Sequence, residues 1–241
     1  MSLLDDLKAL LSVQEVDSRI DRARAHIAAL DTGATTAARF NEVKAEAEAL
    51  RAAATKAQAD QKDAEMQLQS IEEKAKQVNK TLYGGTVQAA RELEHLQQEL
   101  AMLGRQKGDA EEKTLLMMEA ATEAVTAAEA AEKQMRVLAS RYKKIRAEYK
   151  EKHAEFMAEI AEHEKERAEV VKPVPPALLT RYDAIRVKKN GVGAAVLSAS
   201  GNCGACHTHV NSGLAEATLA GQSLQTCEYC GRILIPESAT R

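Results

Sequence analysis

Two long heptad repeats are the feature of this sequence that most limits how the chain can fold. The first extends from Phe40 to Leu82 and the second from Leu93 to Tyr149, with apolar residues at alternating spacings of three and four; the polar exceptions are Gln61, Lys107 and Thr114. Such spacing places a narrow apolar stripe along a helix, and the stripe packs best against a similar one. Aromatic residues make up only 3% of the chain, which leaves little material for a wide globular core. The sequence therefore predicts a mainly α-helical protein built on a long coiled coil.

A pair of glycines between the two repeats predicts that the chain reverses there. Gly84 and Gly85 lie in segment 83–86 and can adopt the positive φ angles of a tight reversal. In an antiparallel hairpin, the residue numbers of two seam residues that face each other add to the same total along the whole hairpin. The apolar positions of the two repeats face each other when this total is 171, as for Leu50 with Ala121. We therefore expect an antiparallel coiled-coil hairpin with its turn at 83–86.

A shorter repeat from Val13 to Leu30 precedes the hairpin. Segment 31–36 contains Asp, Thr and Gly, which predicts a break in the helix. The apolar residues of this shorter repeat would face those of the second helix of the hairpin when the two residue numbers add to about 172. This pairing would place Val16 opposite Phe156. We expect residues 1–171 to form the coiled-coil hairpin domain.

Three prolines in segment 172–176 end the coiled coil, because proline lacks the N–H donor of a helix and pushes its predecessor to an extended conformation. Residues 172–193 are predicted to form a Pro-rich joint and a short linker helix over 177–189. The apolar stretch 194–199 predicts a strand that enters a small C-terminal domain, residues 194–241.

Four cysteines in a C-x2-C-x20-C-x2-C pattern define that domain: Cys203, Cys206, Cys227 and Cys230. Two residues between thiolates let one tight turn aim both sulfurs at a tetrahedral ion, and the second pair completes the shell. The spacing predicts a C4 zinc ribbon in which these four residues are the metal ligands of one structural Zn²⁺. Four protein ligands leave no coordination position for a catalytic water. We predict a binding protein and no enzyme, without catalytic or cofactor-binding residues.

Other interpretations of the cysteines stay open. The thiols can remain reduced without metal or act as redox pairs, and a Cys3His site would use His207 or His209. The segment from Cys203 to His207 also reads as a C-x-x-C-H haem attachment sequence. The haem interpretation requires export and leaves Cys227 and Cys230 without a role.

Charge gives no overall reason to expect nucleic acid, because the formal net charge is −3 and the pI is near 6.1. Two local stretches, 136–152 and 181–189, are rich in Lys and Arg. They suit either a phosphate backbone or a solvated helix face. The N-terminus lacks signal-peptide features, and no run of roughly 18 apolar residues occurs. We expect a cytoplasmic protein without membrane insertion.

Several short motifs resemble a bacterial family of coiled-coil proteins with a C-terminal C4-type zinc ribbon, formerly a domain of unknown function. The matching motifs are Leu10-Leu11-Ser12-Val13-Gln14-Glu15-Val16-Asp17, Leu82-Tyr83-Gly84-Gly85, Arg91-Glu92-Leu93-Glu94-His95-Leu96-Gln97-Gln98-Glu99, Leu179-Thr180-Arg181-Tyr182 and Cys227-Glu228-Tyr229-Cys230-Gly231-Arg232-Ile233-Leu234. One departure is Glu228, at a position where zinc knuckles often have Pro. The resemblance covers the whole chain. It implies zinc held by the four cysteines, and no catalytic activity. Some relatives are described as adaptors connected with an alternative sigma factor and with flagellar or type III secretion components, and some as contacting RNA.

These observations together predict a non-enzymatic, zinc-binding coiled-coil adaptor that docks protein partners, with a link to transcription or to secretion and flagellar regulation implied by the resemblance. The alternative is an RNA- or DNA-binding protein that uses stretches 136–152 and 181–189 with the zinc ribbon. A third interpretation is a spacer or homo-oligomer that associates through its outer helix faces.

Overall fold

The computed structural model describes residues 2–85 and 87–240, which are mainly helical. The helices are α1 (Leu3–Ala29), α2 (Ala34–Tyr83), α3 (Ala90–Val170), α4 (Pro176–Lys188) and α5 (Ser212–Ala220); the strands are β1 (Ala194–Leu197) and β2 (Ile233–Pro236), and a 3-10 helix spans Glu237–Thr240. The predicted linker helix and strand are confirmed to within two residues. Over the described residues, no helix combines the length and the apolar character that crossing a membrane requires.

Two compact units make up the chain. The hairpin unit comprises Gly33–Arg146, and the ribbon unit comprises the residues up to Thr32 together with those from Ala147 onward. The predicted segments 1–171, 172–193 and 194–241 follow chain order, whereas these units do not, because α1 belongs to the same unit as the cysteine region. The segment boundaries therefore stay a prediction.

The hairpin unit confirms the predicted fold class. Helix α2 ends at Tyr83, α3 begins at Ala90, and Gly85 in the connection has φ of 73°. Thr86, part of the predicted turn, lies outside the described residues. The buried seam side chains are Val43, Ala47, Ala54, Ala64 and Leu82 from α2, and Leu103, Thr114, Ala121, Ala128 and Ala131 from α3.

The register of this hairpin differs from the predicted one. Lys107 Nζ lies 2.8 Å from Glu72 Oε1, and Lys113 Nζ donates to Gln67 Oε1 at 3.2 Å. These pairs of residue numbers add to 179 and 180, whereas the predicted sum of 171 would place Glu72 opposite Glu99. The predicted register was wrong by about one heptad. A heptad seam repeats itself after seven residues, so the seam alone cannot choose between the two registers.

Gly33 begins the hairpin unit in a left-handed conformation, with φ of 77°. A Cβ atom at this position would lie 3.1 Å from the ring of Tyr142 and 3.3 Å from Ile145. Positive φ and close contact both favour glycine here. The two ends of the hairpin unit are therefore adjacent. The interruption between α1 and α2 covers residues 30–33, close to the predicted break at 31–36.

In the ribbon unit, α1 packs against the C-terminal part of α3. Phe156 stacks on His26, with ring centroids 5.2 Å apart, and Arg19 lies 2.6 Å from Glu166. The predicted pairing of Val16 with Phe156 was therefore wrong by about ten residues. Repeats of this kind constrain which face is buried more strongly than where along the helix the partner sits. The core between the two helices consists of Val16, Ile20, Ala23 and Ile160.

A small parallel sheet joins two cores within the ribbon unit. Ala194 pairs with Ile233 and Ala195 with Leu234, and successive strand residues point to opposite faces. One face, with Ala194, Ile233 and Ile235, shares a core with Leu7, Leu10 and Val13 of α1 and with Leu178 and Tyr182 of α4. The other face, with Ala195, Leu197 and Leu234, shares a core with Cys203, Val210 and Cys227. The sheet thus connects the helices to the cysteine region.

Candidate metal centre

The four cysteine sulfurs are arranged as around a single ion. All four Sγ atoms lie within 4.8 Å of one another, with 3.8 Å from Cys203 to Cys230 and 3.8 Å from Cys206 to Cys227. A tetrahedron with Zn–S distances of about 2.3 Å has edges of about 3.8 Å, whereas a disulfide bond is about 2.0 Å long. The sulfurs therefore have the spacing of tetrahedral ligands, and the set is suited to hold one zinc ion.

Two similar backbone turns present these sulfurs. In the first, the N–H of His207 donates to the carbonyl of Cys203 at 2.8 Å; in the second, the N–H of Gly231 donates to the carbonyl of Cys227 at 2.8 Å. His207 and Gly231 occupy the same turn position and both have positive φ, 59° and 73°. Gly204 lies in the first turn, where a Cβ would approach the carbonyl oxygen of Val196 to 2.8 Å.

The sulfur environments differ within each turn. Cys203 and Cys227 are buried, and this burial raises the pKa of both thiols. Hydrogen bonds from the backbone N–H and then the hydroxyl of Thr208 lower the pKa of Cys206 to about 6. Buried thiolates are unfavourable without a compensating cation, and a bound Zn²⁺ supplies that compensation.

The histidines next to the first turn stand apart from the sulfur cluster. His207 and His209 are both exposed, and in the described part of the chain the grouped metal-binding side chains are the four cysteines alone. The ring of His209 lies against Gly201, where a Cβ would meet it at 2.7 Å. The arrangement favours four sulfur ligands over a Cys3His set.

Glu228, the departure from the family pattern, has a structural role. Its side chain accepts a hydrogen bond from the N–H of Asn211 at 2.9 Å, and the side chain of Asn211 in turn accepts from Gly213 N–H at 2.9 Å. These contacts fix the start of α5, a helix that was not predicted. On that helix Leu214 packs against the cysteine core, whereas Leu219 is exposed.

One glutamine side chain of α1 holds the segment that enters β1. Gln14 Oε1 accepts from the N–H of Gly193 at 2.7 Å and of Ala194 at 3.2 Å, and Gln14 Nε2 donates to the carbonyl of Gly191 at 3.1 Å. Gln14 is 6% exposed, so these bonds satisfy backbone groups that water does not readily reach.

A buried carboxylate connects α1, α3 and α4. Asp17 accepts from Arg167 Nε at 2.7 Å and from the hydroxyl of Tyr182 at 2.9 Å, and Arg186 Nε lies 3.5 Å away. Burial, followed by the nearby Asp17 carboxylate, raises the pKa of Tyr182. Sequence analysis placed Gln14, Asp17 and Tyr182 within family motifs but assigned no contact to their side chains. Polar residues spaced three or four apart, such as Gln14 and Asp17 on α1, could have indicated that this network exists.

The two basic stretches differ in exposure. In stretch 181–189, Arg186 is only 18% exposed in its side chain and lies 2.7 Å from Asp21, so it is committed to internal ion pairs. In stretch 136–152, Arg136 pairs with Glu132 at 3.1 Å. Arg141, Lys143 and Lys144 are exposed, and among residues 2–85 and 87–240 they have no acidic partner. Arg181 and Lys188 are exposed as well, so both stretches present basic side chains that can meet an anion.

The fold and this site define a coiled-coil protein with a C4-type zinc ribbon. A profile of the CT398-like coiled coil hairpin domain matches residues 13–190, and a profile of the C4-type zinc ribbon domain matches residues 202–234. The chain belongs to the CT398-like coiled-coil hairpin family.

Solved structures share this fold over nearly the whole chain. CT398 from Chlamydia trachomatis is 17% identical and superimposes with a TM-score of 0.71, covering 98% of this chain and 99% of its own. A protein from Mycobacterium smegmatis is 21% identical, with a TM-score of 0.64 and coverage of 96% and 98%. HP0958 from Helicobacter pylori is 18% identical, with a TM-score of 0.50 and coverage of 98% and 99%. No curated protein sequence matches the chain.

Proposed function

We propose that this protein is a non-enzymatic zinc-binding adaptor whose ribbon unit docks a protein partner. In this proposal Cys203, Cys206, Cys227 and Cys230 ligate one structural Zn²⁺. The observation that carries it is the two-faced sheet, because β1 and β2 contribute to the cysteine core and to the core of α1 and α4. Zinc would then stiffen a surface shared by the ribbon and the helices. Four thiolates fill a tetrahedral shell, which suits a structural role and leaves no position for substrate.

Exposed apolar side chains supply the proposed docking surface. Tyr229, in the second cysteine turn, is 62% exposed, and Val187 on α4 and Leu219 on α5 are exposed as well. Aromatic residues are enriched among those that dominate protein interfaces. These three residues belong to the ribbon unit, the unit that zinc binding would order.

The setting of the adaptor is also part of the proposal. Cysteine thiols stay reduced in the cytoplasm, where two clustered C-x2-C pairs hold metal in preference to forming disulfides, so we place the protein there. The family resemblance leads us to propose a role in transcription or in secretion and flagellar regulation. Affinity capture from cell extract identifies the partner.

Affinity capture tests the adaptor proposal. Intact protein, a Cys203→Ser/Cys206→Ser variant and a Tyr229→Ala variant are used as baits in extracts with and without nuclease. Met66→Ala is the matched control, because Met66 is exposed but lies on α2 of the hairpin unit. We expect protein partners that survive nuclease, are lost with the cysteine variant, are reduced by Tyr229→Ala and persist with Met66→Ala. Recovery of RNA or DNA without a protein partner would support the alternative instead.

The alternative, nucleic-acid binding, rests on the exposed and unpaired Arg141, Lys143 and Lys144. Phosphate contacts release counterions, so log affinity falls linearly with log salt, by about one unit of slope per contact. Titration of a labelled single-stranded RNA against salt measures that slope. Lys143→Gln/Lys144→Gln should reduce it by about two under this alternative, whereas Lys74→Gln/Lys76→Gln on α2 should leave it unchanged. A slope that responds equally to both pairs indicates nonspecific attraction and rejects the alternative.

A further inference from the structure

The N-terminus of α5 is capped by only half of the usual arrangement within the helix itself. The side chain of Asn211, the residue before the helix, accepts from the N–H of Gly213 at 2.9 Å. In a complete capping box, the third helical residue in turn accepts from the N–H of the capping residue. Helix α1 has such a box, formed by Ser2 and Asp5. The third residue of α5 is Leu214, whose side chain has no acceptor, so the returning contact has to come from outside the helix.

Glu228 supplies this contact from the second cysteine turn. Its Oε1 accepts from the N–H of Asn211 at 2.9 Å. Glu228 directly follows Cys227, so its position is set by the turn that presents that sulfur. Proline, which is common at this position of zinc knuckles, has no side-chain acceptor. The contact between the cysteine turn and α5 therefore depends on the glutamate of this chain.

Helix α5 depends on tertiary contacts for its stability. It has nine residues, and helices shorter than about 12 residues are marginal in water on their own. Gly213 in its first turn weakens it further. Leu214 and Ala215 pack against the cysteine core. Both the completed cap and this packing are therefore supplied by the cysteine region.

The opposite end of α5 meets the first turn of α1. A Cβ at Gly221, the residue that follows α5, would lie 2.7 Å from Leu4 Cδ2. Leu219, near this end, is 41% exposed and is part of the proposed docking surface. The folding of α5 therefore determines whether this part of the docking surface is formed.

We infer that Glu228 couples zinc binding by the four cysteines to the folding of α5. Metal binding and folding are linked in sites of this kind, so zinc fixes the second cysteine turn. With the turn fixed, Glu228 is in place to complete the cap; without zinc, the turn and the cap are both lost. Zinc then regulates docking, because Leu219 is presented by the zinc-bound protein. This inference rests on the proposed zinc binding and is independent of which partner docks.

Coupling of this kind is reciprocal. If zinc stabilises α5 through Glu228, the same contact raises the affinity for zinc by an equal factor. One hydrogen bond of ordinary net strength changes such an equilibrium by about fivefold. Zinc affinity and the protection of α5 are thus two separate measurements of one contact.

Zinc competition and hydrogen exchange on the full-length protein test the coupling. Glu228→Ala should lower zinc affinity about fivefold in competition with a chromophoric chelator, and should speed amide exchange in zinc-loaded α5 by a similar factor. In metal-free protein the substitution should leave this exchange unchanged, because the contact is already absent. Glu228→Gln keeps an acceptor oxygen and should bring both quantities back to within about twofold of the original.

Glu216→Ala is the matched control. Glu216 is an exposed residue of α5 itself, so its substitution removes a carboxylate from the same region. Alanine is the best helix former, so exchange in α5 should not become faster and zinc affinity should not fall. The control separates the effect of the Glu228 contact from the loss of a negative charge.

Four outcomes would overturn the inference. If Glu228→Ala binds zinc as the original does and protects α5 equally, the contact carries no coupling, although the proposed zinc site stands. Equal protection of α5 with and without zinc shows that the helix folds independently of the metal. If Glu228→Gln is as impaired as Glu228→Ala, the hydrogen bond is not the cause. If elemental analysis finds no zinc in the original protein, the inference and the proposed zinc binding both fail.

Discussion

The hairpin unit and the ribbon unit bury different kinds of side chain. The hairpin unit hides a line of mostly small residues such as Ala47, Ala54 and Ala128, with its ion pairs at the exposed edges. The ribbon unit hides the Asp17 carboxylate, the side chain of Tyr182 and two of the four thiols. A repeating apolar seam accepts a shift of one heptad, whereas a buried polar group is satisfied by one set of partners only. This difference indicates that buried polar groups, more than the apolar seam, determine which residues of neighbouring helices face each other.

The largest expected effect is the loss of zinc, which should unfold part of the ribbon unit and leave the hairpin unit folded. Cys227→Ser should abolish stoichiometric zinc binding and unfold the cysteine turns, because structural zinc contributes on the order of 10–16 kcal/mol to folding in small zinc domains. Helices α2 and α3 should persist. Elemental analysis measures the zinc, and hydrogen exchange measures protection of β1 and β2 against α2.

Tyr229→Ala controls for a substitution within the same cysteine turn, since Tyr229 is exposed and offers no metal ligand. It should retain zinc. A large loss of helical circular dichroism in Cys227→Ser would contradict the independence of the two units.

The next effect concerns the buried carboxylate. Asp17→Ala leaves the Arg167 guanidinium and the Tyr182 hydroxyl without their partner, and breaking a buried ion pair costs about 3–5 kcal/mol. We expect the free energy of unfolding of the ribbon unit to fall by that amount, measured by hydrogen exchange in α1 and α4 across a urea series. Asp60→Ala, at an exposed position of α2, should change it little. Equal effects of the two substitutions would contradict the claim that a buried carboxylate stabilises the ribbon unit more than an exposed one stabilises the hairpin unit.

Two glycine substitutions should have opposite signs in the two units. At Gly193 a Cβ would lie 2.6 Å from the ring of Tyr182 and 2.8 Å from its carbonyl oxygen. Gly193→Ala should therefore destabilise the ribbon unit by about 1–3 kcal/mol. At Gly108 no atom beyond the adjacent residues and the local backbone of α3 lies within 4 Å of the added Cβ, so Gly108→Ala should stabilise α3 by about 0.5–1 kcal/mol. Thermal unfolding followed by circular dichroism measures both. If Gly193→Ala raised the unfolding temperature, the ring of Tyr182 would have to move away from the added methyl group without loss of stability.

The smallest effect tests the register of the hairpin. A double-mutant cycle of Glu72→Ala and Lys107→Ala should show a small favourable coupling at low salt that disappears at high salt. The contact with Glu72 also raises the pKa of Lys107. The predicted register would instead place Glu72 opposite Glu99, and a cycle of Glu72 with Glu99 would then show the larger coupling. That result would reverse the correction to the register.

Sequence reasoning identified the fold class because both of its signals are periodic or fixed in spacing. The seam repeats every seven residues whatever its partner, and the two C-x2-C pairs require a particular turn geometry. The same periodicity explains why the pairing of Val16 and of Glu72 was mispredicted. A periodic pattern determines which face is buried and leaves the position along the axis open.

The buried polar network escaped prediction for a different reason. Gln14 and Asp17 are polar residues within a helical repeat, and such residues are more often solvated than buried. Their roles depend on the backbone of Gly193 and on Tyr182, which are more than 160 positions away in the sequence. Helix α5 was missed because it is short and begins at a cap that Glu228 supports from outside the helix.

The adjacency of Gly33 and Tyr142 has a consequence for folding kinetics. The ribbon unit is built from two chain segments separated by residues 33–146, which are 114 residues. Closing an unfolded loop of that length costs about 4 kcal/mol of entropy. Once the hairpin unit has formed, its two ends already lie together, and most of this cost has been met by local contacts. We therefore expect the hairpin to form early and the ribbon unit to complete folding in a later phase.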